Sequence, residues 1–585
     1  MTTALPRIQV VILNLIPIFF LLSSSYAQSK VYIVYMDHSA IPRAFSTHHS
    51  WFESTLSSIS ENSEPPISSK LIHTYTNSIH GFSASLTPSE LASLQNSPGY
   101  IHSTPDRPMQ LHTTHSPNFL GMSTSSGVWP ASSYGEDVII GVIDSGVWPE
   151  SESFKDRGMS RVPLRWKGKC ETGQQFNTSL CNKKLIGARY FNKGVRANFP
   201  DAKITINSAR DNEGHGTHTA SIACGNFVEG ASYFGYAAGT ARGMAPRARL
   251  AVYKVLWENY IYSSDVIAAV DQAIKDGVDV LSMSLGIFAE EDKFYDEDPI
   301  ALATFAAMEK GIFVSASAGN KGRLFHGTIY NGAPWLTTVA AGTLDREFKG
   351  ALTLGNDTKK ITFESLYPGE FSGHREQIVF LNKCKSLKKL KRLKGKVIVV
   401  CKDGKNTNLG TQVDIIKNGS TSVISGAIFL TNYDYKDYYD YSFAAGFIDD
   451  ENDRKTVMDY ISKNKNPTGV LEFRKTILGT ATAPKVARYS SRGPFARSRN
   501  VLKPDVLAPG SEILASWTPL DKVGEVHSKP LFSNFKLVSG TSMAAPHVSG
   551  LAALIKSVHP DWSPAAIRSA IMTTANPLDN TGTPI

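Results

Sequence analysis

Apolar runs and polar turns give the chain three successive textures. Near the start, Val31 to Met36 reads as a short buried strand, and Leu71 to Leu86 alternates well enough for a strand pair. Ser89 to Gln95, directly after Pro88, reads as a helix with proline in its first turn. These elements predict a small α/β unit over residues 30–112, closed by the exposed linker His112-Thr113-Thr114-His115-Ser116-Pro117.

From Asp137 the apolar runs end in polar or glycine-rich turns: Val138 to Ile143, Leu250 to Val255, Val278 to Leu285 and Ile312 to Ala316. Helical stretches, Ser264 to Lys275 and Ile300 to Lys310, separate them. Strands alternating with helices predict a parallel sheet covered on both faces, with functional groups at the carboxyl ends of its strands. Between about Asp345 and Thr482 the runs shorten (Lys396 to Cys401, Gly426 to Leu430, Gly469 to Phe473) around a Tyr/Asp-rich loop from Tyr433 to Tyr441, which predicts an inserted β-rich domain. The α/β texture returns at Val486 and ends in two helical patterns, Ser542 to Lys556 and Ser563 to Ala575.

Composition changes this picture only a little. With 585 residues, 42% hydrophobic and 19% charged, the chain has the makeup of a multidomain globular protein. A net charge of +9 raises the question of a polyanion partner. The one dense basic run, Lys383 to Lys396, lies just before an apolar strand and reads as a solvated face, so neither nucleic acid nor membrane is expected as a partner. Arg7, the apolar stretch Val10 to Leu22 and the small residues around Tyr26 predict a secretory signal over residues 1–27, and hence an extracellular product. Export permits disulfides. Of five cysteines, Cys170 with Cys181 and Cys384 with Cys401 are spaced to close short loops, leaving Cys224 as a free thiol behind the His215 helix. Asn177, Asn356 and Asn418 stand in glycosylation sequons.

Four segments carry candidate chemistry. Asp144 follows the strand Val138 to Ile143 and precedes Ser145-Gly146. His215 lies in Gly214-His215-Gly216-Thr217-His218, where glycines let backbone approach closely and a helix begins. Asn320 ends Ala318-Gly319-Asn320, and Ser542 sits in Gly540-Thr541-Ser542-Met543-Ala544-Ala545-Pro546-His547 at the amino end of a helix. Singly, each has an ordinary explanation as a cap or turn former. His215 and His218, three apart, also match a metal-ligand spacing, but no Glu follows His215 as a His-Glu-x-x-His metalloprotease requires, so no metal is expected.

Together, Ile143-Asp144-Ser145-Gly146, His215-Gly216-Thr217-His218, Ala318-Gly319-Asn320 and Gly540 to His547 resemble the subtilisin-like serine proteases, and Thr113 to Pro117 and Asp144 to Glu150 resemble the plant-type secreted subgroup. The resemblance implies a catalytic triad of Asp144, His215 and Ser542, with Asn320 as oxyanion donor. It implies substrate pairing and pocket walls at Ser284, Leu285, Gly286, Ala318 and Gly319. Residues 30–112 become an inhibitory pro-domain, 113–344 and 483–585 the two parts of the catalytic domain, and 345–482 a protease-associated insertion that is a candidate homodimer contact. A protein or peptide is then the substrate, no cofactor is required, members of the subgroup usually do not depend on calcium, and the product is autoprocessed and secreted, into the cell wall or apoplast if the source is a plant. Plant-type members continue past the serine helices into a fibronectin-like β domain, whereas this sequence stops at Ile585, as either a fragment of a longer chain or a truncated product.

Overall fold

The computed structural model describes residues 29–60, 66–75, 80–105, 115–258, 260–286, 298–322, 326–355, 360–371, 373–403, 409–419, 423–431 and 442–585. The expected signal segment, the cut before Thr113, the sequon at Asn356 and the loop from Tyr433 to Tyr441 lie outside them. The chain forms two compact units, 1–111 and 112–585.

In the first unit β1 (Lys30–Met36), β2 (Leu71–Tyr75), β3 (Gly81–Leu86) and β4 (Tyr100–Pro105) form an antiparallel sheet in the order β2-β3-β1-β4. Val34, Met36, Phe82, Ala84 and Leu86 face one side at period two and bury Trp51, Phe52 and Leu56 of the helix His48–Ile59 against them. A later helix, Pro88–Leu94, starts with proline at its first position and a capping box in which Thr87 and Glu90 satisfy each other's backbone N–H. Glu90 also takes the buried ammonium of Lys70 at 2.5 Å.

The second unit is built on a seven-stranded sheet whose strands all run parallel. It contains β5 (Ile139–Asp144), β6 (Leu185–Tyr190), β9 (Arg249–Lys254), β10 (Val280–Met283), β11 (Phe313–Ser317), β12 (Thr337–Gly342) and β20 (Val506–Pro509) in the order β20-β12-β11-β10-β5-β9-β6; β7 (Val228–Tyr233) and β8 (Tyr236–Ala241) form a separate hairpin. Alternation decides which helices cover which face. Ile139, Ile143, Leu281, Met283, Val314 and Ala316 pack on helices Ser263–Asp276 and Pro299–Glu309. Ile140, Val142, Leu250, Val252, Phe313 and Val339 pack on the histidine helix His215–Cys224 and the serine helix Thr541–Val558. The strand read over Val278 to Leu285 is shorter than expected. β10 stops at Met283 because the chain there leaves the ladder to meet the serine helix.

The insertion is a closed barrel. Its strands β13 (Arg346–Leu354), β14 (Lys360–Glu364), β15 (Glu376–Phe380), β16 (Val397–Lys402), β17 (Ile424–Leu430), β18 (Ala445–Ile448) and β19 (Thr468–Leu478) run in the order β13-β14-β18-β17-β16-β15-β19. Ile398 and Val400 point to the barrel core, while Val397 and Val399 point outward to the helix Leu409–Gly419. Entry strand β13 pairs with exit strand β19 over most of its length.

Among the described residues no helix is long and apolar enough to cross a membrane. Disulfides join Cys170 to Cys181 and Cys384 to Cys401. Cys224 is a buried free thiol, and it is the last residue of the histidine helix rather than a group behind it. Bridges closing loops with separations of 11 and 17 residues stabilise by about 2 to 3 kcal/mol each. Peptide mapping under non-reducing conditions is expected to recover these two bridges, and Cys224 to be alkylated only after denaturation.

Candidate active site

Asp144 ends β5 at the carboxyl edge of the sheet and is 3% exposed. Its carboxylate accepts from Ser145 N–H at 2.7 Å and from Thr219 Oγ1 at 3.1 Å. The remaining bond goes to His215 Nδ1, 2.7 Å from Asp144 Oδ1. An ionised carboxylate only accepts, so Nδ1 carries the proton and Nε2 keeps its lone pair. Burial alone lowers the pKa of His215. The charge and hydrogen bond of Asp144, helped by Asp211 and Glu213, outweigh that and hold it above the ordinary 6.5.

The histidine helix begins at Gly214, whose φ of +90° suits glycine and whose Cβ position is filled by Trp517. No side chain of the cap residue ties this end down. Asp211, fully buried, does so instead. Oδ1 accepts from Gly214 N–H (2.8 Å), Glu213 N–H (3.0 Å) and Ser145 Oγ (3.0 Å). Oδ2 accepts from Thr217 N–H (2.9 Å) and Thr217 Oγ1 (2.6 Å). Ser145 Oγ in turn accepts from Gly216 N–H at 2.8 Å. Gly216 leaves no room for a side chain, since a Cβ there would stand 2.3 Å from the Gly146 carbonyl. Glycine is thus required where the Asp144 turn and the His215 turn touch.

Ser542 is the second residue of the serine helix, so its N–H is one of the amino-terminal donors without an intrahelical acceptor. Pro546 lies four residues on and has no N–H to bond the Ser542 carbonyl. Ser284 Oγ fills that gap, donating to Ser542 O at 2.7 Å, while Ser542 Oγ donates to the Ser284 carbonyl at 3.2 Å. The Ser542 hydroxyl therefore points to Ser284 in this structure, with no hydrogen bond to His215.

Asn320 ends the turn after β11, and its Oδ1 accepts from Thr541 N–H and Thr541 Oγ1, both at 2.9 Å. A backbone N–H cannot accept, so this pairing fixes the amide's orientation and leaves Nδ2 free beside Gly540. Of the positions expected to meet substrate, Leu285 and Gly286 are partly exposed. Ala318 is fully buried, with its N–H and carbonyl bonded to Val339 and Tyr330. Gly319 is likewise occupied, donating to Thr541 Oγ1 and accepting from Ser491. These backbone bonds fix the turn that carries Asn320. Sequence reasoning missed Asn331, whose Nδ2 bridges the carbonyls of Leu285 (2.9 Å) and Ser317 (2.8 Å) and so ties β10 to β11. It also missed Asp211, although an Asp four residues before a helix-opening His is a visible signal.

His218 lies apart from this chemistry. Its Nε2 is 3.1 Å from the carbonyls of Ile513 and Lys536, to which only a protonated nitrogen can bond, and burial pushes its pKa down to about 3. Asn177 is exposed and caps a turn through Ser179 N–H at 3.0 Å, and Asn418 is exposed near the end of the helix Leu409–Gly419.

A buried carboxylate at a strand end thus orients an imidazole at the start of one helix, and Ser542 opens a second helix packed on the same face of the sheet. The subtilase family model matches residues 135–584 and the peptidase inhibitor I9 model residues 31–112. The chain is 49% identical over 567 residues to the subtilisin-like protease SBT1.9 of Arabidopsis thaliana, spanning 95% of this chain and 74% of the relative. To the subtilisin-like protease SBT3 of Solanum lycopersicum it is 47% identical over 573 residues, spanning 96% and 74%. A solved structure, sphericase, is 21% identical with a TM-score of 0.36, covering 75% of this chain and 84% of that one. The chain belongs to the subtilase family, as a subtilisin-like serine protease with an I9 inhibitor pro-domain.

Replacing Asp211 by Ala strands several buried donors at once. We expect Asp211→Ala to lower stability by about 3 kcal/mol or more, read as a shifted urea midpoint, while replacement of the exposed Asp271 leaves the midpoint in place.

Proposed function

We propose that the protein is a secreted endopeptidase, made as a zymogen, whose catalytic groups are Asp144, His215 and Ser542 with Asn320 as oxyanion donor. The observation that carries this reading is the 2.7 Å hydrogen bond from His215 Nδ1 to the buried Asp144, which leaves Nε2 as a base. Rotation of the Ser542 side chain away from the Ser284 carbonyl brings Oγ toward that base. Oγ attacks the scissile carbonyl as Nε2 takes its proton. The negative charge that builds on the carbonyl oxygen is met by Asn320 Nδ2 and the Ser542 N–H. The C–N bond then breaks as His215 returns the proton to the leaving amine; water, deprotonated by the same histidine, attacks the acyl carbonyl, and the histidine hands that proton to Ser542 Oγ as the acyl–Oγ bond breaks.

The inserted barrel fits the part of a protease-associated domain, and a contact with a second copy of the chain is part of the same reading. Export follows from the amino-terminal apolar stretch. The pro-domain is released by cleavage before Thr113, and the first cut is intramolecular because one chain supplies both bond and nucleophile at high effective concentration.

Ser542→Ala removes a hydroxyl and no packed apolar group, so the fold is spared and hydrolysis is abolished. Expressed beside wild type in one secretory host, the variant is expected to keep its pro-domain, while wild type begins at Thr113. Cleavage of the variant at Thr113 would refute autoprocessing, and near-normal peptide turnover by the variant would refute the assignment of Ser542. Asn320→Ala is expected to slow turnover about 100- to 1000-fold, the range known from subtilisin itself.

The pH dependence follows from the base. Imidazolium cannot accept the serine proton, so kcat/KM falls as pH drops through the raised pKa of His215, above 6.5. Asp144→Asn removes the charge that raises this pKa, so the remaining activity should lose its dependence at a lower pH than wild type. A profile with the same inflection in both enzymes would exclude His215 as the titrating base.

A further inference from the structure

Nearly all of the chain's excess positive charge is concentrated in one segment that the chemistry above does not use. Between Lys383 and Lys396 there are eight Lys and Arg and no Asp or Glu, against a net charge of +9 for the whole chain. Read from the sequence, this run is a solvated face. Folded, it is a cationic lobe with a fixed base on the inserted barrel.

The base is held in three ways. The disulfide from Cys384 to Cys401 pins the start of the segment to β16. Ser386 caps the short turn Leu387–Leu390 by accepting from Lys389 N–H at 3.3 Å. Leu390 is buried, and Gly419 of the neighbouring helix packs so closely that a Cβ there would stand 2.9 Å from both Leu387 and Leu390. Lys388, Lys389, Lys391, Arg392, Lys394 and Lys396 are all exposed, and none forms an ion pair with another described residue. Packed on one short segment, these cations repel one another, and an anionic partner relieves that repulsion.

The chemistry of the lobe narrows the partner. Five of the six cations are lysines, compact point charges suited to a diffuse row of anions rather than to the two-pronged grip of arginine on phosphate. No aromatic residue lies between Lys383 and Lys396, so the platform that single-stranded nucleic acid needs for base stacking is absent from the segment. Leu387, 37% exposed, is the only large apolar group the turn offers, too little for the apolar face that seats a helix in a membrane surface. We propose that the lobe is a docking surface for an acidic polysaccharide carrying a carboxylate on each sugar, which localises the enzyme on that polymer. Only the choice of an extracellular polymer rests on the proposed secretion.

The test uses the full chain on immobilised polygalacturonate, with neutral dextran beads as the blank. Wild type is expected to be retained at about 50 mM salt and released by about 200 mM, as counterion release requires. The variant K388Q/K389Q/K391Q/R392Q should bind about tenfold more weakly or less. A control, K275Q/K310Q/K455Q/K463Q, removes the same charge from exposed positions elsewhere and should bind as wild type. Peptide hydrolysis and urea midpoints equal to wild type in both variants show that the fold is intact. Failure of wild type to bind, equal weakening in both variants, or tighter binding to single-stranded DNA or anionic vesicles would each overturn the proposal. Because the readout is retention, the result is independent of whether the assigned triad is correct.

Discussion

Shut away from water, the N–H groups of Glu213, Gly214 and Thr217 and the hydroxyls of Ser145 and Thr217 all turn to one buried carboxylate, Asp211. Without it the first turn of the histidine helix would carry orphan donors in a dry interior, a cost no other described side chain offsets. Its second effect is to join two distant pieces of sequence. Through Ser145 it binds the turn that follows Asp144, so the carboxylate and the imidazole are held by the same knot of hydrogen bonds. The 2.7 Å contact between them follows from how their backbones are tied, and the bond itself need not hold the turns together.

The serine side of the cleft uses the opposite device, a bond deliberately left unmade. Pro546 frees the Ser542 carbonyl within the helix, and the strand-end residue Ser284 takes it. Asn320 grips the next residue back, Thr541, and Asn331 clamps the ends of β10 and β11 together. The serine helix is therefore moored at its amino end to two strand termini, those of β10 and β11. In a parallel sheet both termini lie at one edge, so the geometry of the site is inherited from strand direction.

The sequence reveals some of this readily and some of it hardly at all. The strands β5, β9 and β11 are built on short apolar runs, are buried on both faces, and stand out within a residue or two. β12 is Thr-Thr-Val-Ala-Ala-Gly and β20 is Val-Leu-Ala-Pro, sequences too small and mixed to announce a strand; neighbouring strands make them so. Asp144, His215, Asn320 and Ser542 are legible because their neighbours are unusual. Asp211 and Asn331 act largely through backbone groups, those of Asn331 far off in sequence, and a pattern of side chains does not record where a donor or a carbonyl will be left unpaired.

The barrel leaves the catalytic sheet and returns to it through β13 and β19, which are hydrogen-bonded neighbours from Arg346 with Leu478 onward. For the sheet, an excursion of more than a hundred residues thus begins and ends at nearly one point, like a long surface loop whose ends already meet. Closing such a loop costs little more for a large domain than for a short turn, because the entropy grows only as the logarithm of its length. The architecture can accept, enlarge or exchange the cargo at that point without disturbing the register of the strands on either side, so the cationic lobe and the cleft are free to change independently.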